Sequence, residues 1–172
     1  DKVSHINPND ATNKYNHSFC LLINGQLKKG FEFYEERWNI NSPIFVKRNF
    51  KQPLWLGKQD LTNKTLFIYP EQGFGDMIQT YRYISKFNKL NTQVILKTHE
   101  PLQTLFLSNP SNNVTVTTKK TPSHFDYHCP MMSLPLIFET TVDKINSAPY
   151  IKASPDSINK WKKILPKKTK PF

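Results

Sequence analysis

Short apolar runs alternate with helix-periodic segments through most of this 172-residue chain, and this alternation limits its fold more than any other feature. The first run, 65–69, reads Thr-Leu-Phe-Ile-Tyr, which is typical of a buried strand. Similar runs predict strands at 93–97, 114–116 and 125–129, with a fifth, edge strand at 150–151. Strands that alternate with helices and short loops predict a mainly parallel sheet with helices on both faces. We therefore expect an α/β three-layer sandwich.

Helical periodicity marks the segments between these strands. A helix is predicted from Asp76 to about Leu90, with an apolar stripe formed by Met77, Tyr81, Ile84, Phe87 and Leu90. Shorter patterns predict helices at 101–108, 134–138 and 155–165. The sheet and its helices occupy residues 64–172 in this interpretation.

The chain before the sheet has a different pattern. Apolar residues with helical spacing on both sides of Gly25 predict two short helices, at about 12–24 and 27–38. Their predicted apolar faces contain Phe19, Leu22 and Ile23 in the first helix and Leu27, Phe31, Tyr34 and Trp38 in the second. We expect residues 1–40 to form a helical hairpin, and residues 41–63, which contain two prolines, to form a connector.

The chain is strongly basic. It has 24 Lys and Arg against 13 Asp and Glu, a formal net charge of +11. Six lysines lie between Lys160 and Lys170, and a second acid-free group consists of Lys47, Arg48, Lys51 and Lys58. Such charge indicates either an anionic partner or a solvated tail and loop, and the second interpretation is favoured. Nucleic acid is a disfavoured partner because the aromatic residues lie outside the basic segments.

Several protein classes are excluded or disfavoured by what the sequence lacks. No apolar run approaches the roughly 20 residues of a membrane span. The first residues, Asp-Lys-Val-Ser-His, contain no apolar signal segment. Cys20 and Cys129 form no redox or metal motif, and no pair of ligand-type residues has metal-binding spacing. We expect a cytoplasmic protein without a metal ion.

The segment Glu71–Asp76, at the junction of the first strand and the following helix, is the predicted ligand loop. Ligands of parallel sheets bind beyond the carboxyl ends of the strands, and the glycines at positions 73 and 75 permit close backbone approach. A dinucleotide fingerprint is disfavoured because Ile78 occupies the third glycine position and the second strand ends in Lys97. No phosphate-binding P-loop motif occurs. We expect Gln72, Gly73 and Gly75 to contact a substrate.

Asp76 has two possible roles. Aspartate is a favoured helix N-cap, and Gln79 three residues later resembles a capping box. Alternatively, its carboxylate is a general base at the carboxyl edge of the sheet. His128 is predicted at the same edge, next to Pro130, where it either lines the crevice together with Cys129 or is a hydrogen-bonded structural histidine.

Three further polar residues are weaker candidates. His99 and Glu100 follow the second strand and are expected on the crevice side. Arg82 lies six residues after Asp76 on the predicted helix, where it either binds an anion or belongs to a solvated face. Phe33, Tyr34 and Trp38 are expected in the interface between the hairpin and the sheet.

Several motifs resemble one protein family in the same order. Residues 30–38, Gly-Phe-Glu-Phe-Tyr-Glu-Glu-Arg-Trp, resemble the closing helix of a tetratricopeptide array. The block E-Q-G-x-G-D-x-I-Q at 71–79 and the His-Cys-Pro of 128–130 resemble tetratricopeptide-linked relatives of the ADP-heptose:lipopolysaccharide heptosyltransferases, which are glycosyltransferases of the GT-B fold. The resemblance covers roughly residues 15–165.

The resemblance implies a Rossmann-like, acceptor-side domain over 64–172, preceded by the end of a tetratricopeptide array. It implies that Asp76 is the catalytic base for an acceptor hydroxyl on a glycan, lipid-glycan or protein. The nucleotide-sugar donor would bind a second, C-terminal domain that this chain lacks, so the chain binds no cofactor and is expected to be inactive alone. Two alternatives stay open, a protein-interaction module built on the hairpin and a basic binder of nucleic acid or an anionic surface.

Overall fold

Four strands form one all-parallel sheet in the computed structural model, which describes residues 7, 9–145 and 147–166. They are β1 (Lys64–Tyr69), β2 (Thr92–Lys97), β3 (Val114–Thr117) and β4 (Tyr127–Pro130), in the spatial order β3-β2-β1-β4. β1 is central, since Leu66 pairs with Val94 on one side and with Tyr127 on the other. The predicted α/β class and parallel pairing are confirmed, and the arrangement is consistent with a Rossmann-like fold.

Six α-helices accompany the sheet in the described residues. They are α1 (Ala11–Ile23), α2 (Leu27–Tyr34), α3 (Phe74–Thr80), α4 (Gln103–Leu107), α5 (Leu134–Ile137) and α6 (Pro155–Ile164). Short 3-10 segments follow or precede several of them, at Glu35–Trp38, Tyr81–Lys89, Glu100–Leu102, Met131–Ser133 and Val142–Lys144. The helix predicted from Asp76 to Leu90 is therefore α3, which starts two residues earlier, continued by a 3-10 segment.

The predicted fifth strand at 150–151 is wrong. Neither residue pairs with the sheet, whose strands in the described part of the chain number four. Instead, the side chain of Asn109 holds this segment: Lys152 N donates to Asn109 Oδ1 at 2.7 Å, and Asn109 Nδ2 donates to Lys152 O at 3.1 Å. A side-chain amide thus fixes the backbone of Lys152, directly after the predicted strand, without any strand ladder.

The main core lies on one face of the sheet. Leu66, Ile68, Val94, Leu96 and Cys129 face the helices from the strands, and each is at most 1% exposed. The predicted helical stripe packs on them, since Met77, Tyr81, Ile84 and Phe87 are all buried. Leu90 is the exception at 40% exposed, because the 3-10 segment ends at Lys89.

The second face of the sheet carries no helix in the described residues, so the predicted three-layer arrangement is wrong there. Phe67 and Tyr69 of β1 pack with Phe125 and Phe50, both of which lie in loops. The ring centroid of Phe50 is 5.8 Å from that of Phe67 and 5.5 Å from that of Phe125. The connection from β3 to β4 is an irregular segment, and aromatic loop residues exclude water from this face instead.

The segment predicted as a connector contributes to the sheet domain. Leu54 forms a parallel bridge with His128, and Trp55 N donates to His128 O at 2.8 Å. The Trp55 side chain is 4% exposed in the main core. Residues 53–55 thus continue the sheet beyond β4, and this segment is fixed to the domain rather than separate from it.

α1 and α2 pack against each other and form the expected helical hairpin. The chain turns through Gly25, whose φ of 74° favours glycine. Close packing also requires Gly30, since a Cβ there would lie 2.7 Å from Leu22 Cδ2. The predicted face of α1 is partly wrong, because Leu21 is buried while Ile23 is 85% exposed.

α6 differs from the other helices in its exposure. Ile158, Trp161 and Ile164 are all exposed, by 43%, 55% and 59%. Lys167, Lys168 and Lys170 of the basic C-terminal stretch lie outside the described residues. Among the helices of the described residues, none has the length and apolar composition needed to cross a membrane.

Candidate functional site

Three loops meet at the carboxyl edge of the sheet, as the parallel topology predicts. The His99 ring joins the loop after β2 to the loop after β1, because Nε2 lies 2.9 Å from the carbonyl oxygen of Gln72. The loop after β4 joins them where Met132 N donates to Glu71 Oε2 at 3.1 Å. The segments 70–76, 97–101 and 129–134 therefore form one contiguous surface.

A buried arginine attaches the hairpin to this surface. Arg37, at the end of the hairpin, is 0% exposed. Its Nε and Nη2 donate to the two carboxylate oxygens of Glu71 at 2.7 and 3.2 Å, and its Nη1 donates to Glu35 Oε1 at 2.7 Å. The remaining donors reach Ser133 Oγ at 2.9 Å and the carbonyl of Tyr34 at 3.1 Å. All donor nitrogens of the guanidinium are therefore satisfied.

The surroundings keep Arg37 charged. Burial alone would lower the pKa of the guanidinium, but the carboxylates of Glu71 and Glu35 outweigh that effect and raise the pKa. The guanidinium also lies over the rings of Tyr34 and Trp38, at 4.6 and 4.5 Å from their centroids. Tyr34 and Trp38 thus lie in the interface between hairpin and sheet, as expected.

A cavity of about 330 Å³ lies between the hairpin and α3, and we call it the Asp76 cavity. Its hairpin side is apolar and consists of Phe19, Leu22, Leu27, Phe31 and Tyr34. Its polar side contains Gln72, Asp76, Gln79, Thr80, Arg82 and Thr140. Gln72 Nε2 also donates to the Tyr34 hydroxyl, so that the predicted substrate-binding glutamine is held against α2. The cavity brings Asp76 and Gln72 together.

Asp76 is not the cap of α3. The helix begins at Phe74 with Gly73 as its N-cap residue, and Asp76 is the third helical residue. Within the part of the chain that the structure describes, the Asp76 carboxylate accepts no hydrogen bond and forms no ion pair, and the residue is half-buried. The capping interpretation with Gln79 is therefore wrong, because the helix starts too early for it. The carboxylate is available to a ligand.

Gly73 and Gly75, which the sequence predicts to contact a substrate, are exposed and do not line the Asp76 cavity. Gly73 has an extended conformation, with φ of −71°, and neither glycine has a positive φ. A Cβ at Gly75 would meet no atom within 4 Å, and one at Gly73 would meet only Asp76 Oδ2, at 3.8 Å. The two glycines thus lie on the exposed start of α3, and neither is required there by an unusual backbone conformation.

His128 and Cys129 do not lie on the rim of a crevice, contrary to expectation. His128 pairs with Phe67 in the middle of β1, and its ring is packed at 4.9 Å from Phe50. Its Nδ1 lies 3.2 Å from the Tyr69 hydroxyl, and burial lowers its pKa. Cys129 is 0% exposed in the main core. Leu54 continues the sheet beside His128. It therefore covers His128, which the sequence predicts at an open edge.

The weaker candidates have distinct positions. His99 supports the loop rather than a ligand, and its ring lies 5.1 Å from that of Phe74. Glu100 is exposed in the 3-10 segment that follows. Arg82 is half-buried, lines the Asp76 cavity and lies 4.8 Å over the ring of Tyr150. Of these three, only Arg82 reaches the Asp76 cavity.

Sequence reasoning missed Arg37 and Glu71. Arg37 follows two glutamates in a helical segment, a pattern typical of a solvated helix face. Glu71 opens the recognised 71–79 block but was assigned no role. The sequence contained one indication of the Arg37 contact. Arg37 lies between Tyr34 and Trp38, which were expected to be buried, and a buried charge needs a partner of opposite charge.

No three His, Cys, Asp or Glu side chains among the described residues are grouped so that they could hold a metal ion. Comparison of the chain with protein-family models, with curated proteins and with solved structures finds no match. The assignment of a function therefore depends on the geometry of the Asp76 cavity and on the motifs of the sequence.

Proposed function

We propose that this chain is the acceptor-binding half of a GT-B glycosyltransferase in which Asp76 is the general base. The observation that carries the proposal is the half-buried Asp76 carboxylate, which has no hydrogen-bond partner among the described residues and lines a cavity of about 330 Å³. A base must be within hydrogen-bond reach of the proton that it removes, and the cavity that Asp76 lines offers a hydroxyl that position. The 71–79 motif adds the resemblance to heptosyltransferases.

The base acts on an acceptor hydroxyl held in the Asp76 cavity. As the hydroxyl oxygen forms a bond to the anomeric carbon of the donor, the Asp76 carboxylate takes the hydroxyl proton. The bond between that carbon and the diphosphate oxygen breaks, and the nucleoside diphosphate leaves with the electron pair. Glu71 does not compete for this role, since its carboxylate is bound by Arg37 and by Met132 N.

The donor belongs to a second domain in this proposal. Transfer requires the anomeric carbon to be held about 3–3.5 Å from the attacking oxygen. The described residues contain one four-stranded sheet and one set of loops at its carboxyl edge, and the proposal assigns that set to the acceptor. We expect the 172-residue chain alone to bind an acceptor without transferring sugar.

The hairpin is the end of a tetratricopeptide array in the same proposal. Its support is the 30–38 motif and the packing of α1 on α2 through Gly30 and Leu22. The Arg37 network fixes the hairpin against the ligand loop, so that the array contributes one wall of the Asp76 cavity.

The test uses nucleotide-sugar assays of the 172-residue chain and of a longer form of the protein that includes a donor domain. The chain alone should show no transfer. In the longer form, Asp76→Asn should lower kcat by about 100-fold or more with little change in KM. Glu100→Gln, which removes an exposed carboxylate at the same edge, is the matched control and should retain activity. Transfer that is unaffected by Asp76→Asn would overturn the assignment of the base.

A further inference from the structure

A second, larger depression adjoins the Asp76 cavity and is lined by four cations. Its volume is about 740 Å³, and we call it the basic groove. Arg82, Lys86 and Lys89 come from the 3-10 segment Tyr81–Lys89, and Lys144 comes from the 3-10 segment Val142–Lys144. Among the residues that the structure describes, neither aspartate nor glutamate lines the groove. In the described parts of the chain none of these four cations belongs to an ion pair, so their charge is available to a ligand.

The aromatic residues of the basic groove are already covered. The Arg82 guanidinium lies 4.8 Å from the Tyr150 centroid, and Lys86 Nζ lies 5.2 Å from that of Phe138. The Phe138 ring also stacks on Tyr83, with parallel rings whose centroids are 5.8 Å apart. Single-stranded nucleic acids need free aromatic faces on which bases stack. The groove thus recognises charge and offers no stacking platform.

The basic groove and the Asp76 cavity share four lining residues, Arg82, Tyr83, Thr140 and Ile145. The two depressions therefore adjoin each other along these residues. The hairpin wall of the cavity, with Phe19, Leu22 and Phe31, is hydrocarbon. Sugar hydroxyls placed against it would lose hydrogen bonds to water without replacement, whereas an apolar side chain would gain by burial.

We propose that the Asp76 cavity and the basic groove together bind an extended peptide in which an apolar side chain is followed by a run of acidic residues. The apolar side chain occupies the hairpin wall of the cavity, and the acidic residues follow the row Arg82, Lys86 and Lys89. The description of this peptide as the protein acceptor rests on the proposed function, but its binding does not.

The test measures binding of the 172-residue chain to a fluorescein-labelled peptide with one phenylalanine followed by four glutamates, by fluorescence anisotropy. A peptide with glutamines in place of the glutamates and one with glycine in place of the phenylalanine should each bind about tenfold more weakly or worse. Binding should weaken as salt is raised, because exposed charges are screened. Equal affinity for all three peptides would overturn the proposal.

Matched variants separate a site from the general attraction of a chain with net charge +11. The triple variant Arg82→Gln, Lys86→Gln and Lys89→Gln should weaken binding about tenfold or more. The control triple variant Lys160→Gln, Lys162→Gln and Lys163→Gln on α6 removes the same charge and should leave the affinity unchanged. Equal losses in both would show that net charge alone attracts the peptide, and would overturn the proposal.

A second pair of variants tests the apolar wall. Phe19→Ala removes a cavity residue that is 43% exposed, and Ile23→Ala removes an 85% exposed residue from the same helix outside the cavity. Only Phe19→Ala should weaken binding of the phenylalanine peptide. Tighter binding of a sulfated hexasaccharide or of an RNA oligonucleotide that depends on Arg82, Lys86 and Lys89 would overturn the peptide assignment.

The result of the peptide-binding experiment can be distinguished from the result of the test of the proposed function. Peptide binding needs no donor, and the Asp76→Asn transfer assay needs no peptide affinity. Peptide binding together with transfer insensitive to Asp76→Asn would support a docking site and refute the catalytic base. Transfer that depends on Asp76 in a protein that does not bind the peptide would refute only the peptide site.

Discussion

Arg37 donates two hydrogen bonds to the Glu71 carboxylate across the junction between the helical hairpin and the sheet, at 2.7 and 3.2 Å. Glu71 begins the loop that also contains Gln72 and leads to Asp76. The position of the hairpin wall and the position of the candidate base therefore depend on the same buried ion pair. Because the Arg37 and Glu71 side chains are 0% and 4% exposed, loss of one partner leaves a charge without compensation.

Replacement of Arg37 by methionine should destabilise the protein strongly. The change leaves the Glu71 carboxylate buried without its cation, which costs about 3–5 kcal/mol of the free energy of unfolding. Lys14→Met is the control, since the Lys14–Glu36 pair spans 3.3 Å with both side chains partly exposed and should contribute about 1 kcal/mol or less. Urea unfolding followed by tryptophan fluorescence measures both. Equal losses in the two variants would contradict the role of the Arg37 network.

The glycines at positions 75 and 30 should respond in opposite ways to the same substitution. Gly75→Ala adds a methyl group to open space in α3 and should stabilise the protein by about 0.5 kcal/mol, because alanine loses less backbone entropy in a helix. Gly30→Ala places a Cβ 2.7 Å from Leu22 Cδ2 and should cost about 1–3 kcal/mol through overpacking. Thermal unfolding curves of both variants test this prediction. A destabilised Gly75→Ala variant would mean that the space at α3 is filled.

His128 should make the stability depend on pH. Burial lowers its pKa in the folded protein, so the unfolded chain binds more protons, and the free energy of unfolding should fall as the pH drops below about 6.5, the ordinary value for histidine. His128→Gln should flatten this part of the pH profile. Urea midpoints measured from pH 8 to pH 5 test the prediction, and an unchanged slope in His128→Gln would contradict it.

The regular part of the fold could be predicted because its residues report burial directly. The apolar runs around Leu66 and Val94 are each typical of a buried strand. The apolar stripe from Met77 to Phe87 has the spacing of one face of a helix. The second face could not be predicted, since its cover comes from Phe50 and Phe125, isolated aromatics in loops without any periodicity. The prediction of an edge strand at 150–151 is wrong for a similar reason. The side chain of Asn109, which is distant in sequence, forms the hydrogen bonds to the backbone of the neighbouring Lys152.

The candidate site was predictable in outline only. Loop positions follow from parallel topology, and hence the sequence indicated Asp76 and Gln72 correctly as neighbours of the carboxyl edge. The position of His128 depended on whether another segment continues the sheet, and Leu54 belongs to a stretch that reads as a loop. The Arg37–Glu71 contact joins residues 34 positions apart, and nothing local in either segment specifies the partner.

Asp76→Ala should lower the free energy of unfolding only slightly. A small loss would show that the Asp76 carboxylate does not cap the helix and is available to a ligand. A residue that caps a helix typically loses about 1 kcal/mol on change to alanine, because a backbone N–H is left without its acceptor. Asp10 is such a residue, since its Oδ1 accepts from Asn13 N at 2.8 Å at the start of α1. Asp76 has no such contact and occupies the third position of α3, where a first-turn carboxylate contributes about 0.3–1 kcal/mol that salt screens.

Urea unfolding of Asp10→Ala and Asp76→Ala under the same conditions provides the comparison. The free energy of unfolding should decrease more in Asp10→Ala than in Asp76→Ala, by a difference that raised salt does not abolish, because a hydrogen bond is screened less than a helix-dipole interaction. An Asp76→Ala variant that loses as much stability as Asp10→Ala would show that the carboxylate is engaged in the folded protein. It would then not be free to accept the proton of an acceptor hydroxyl.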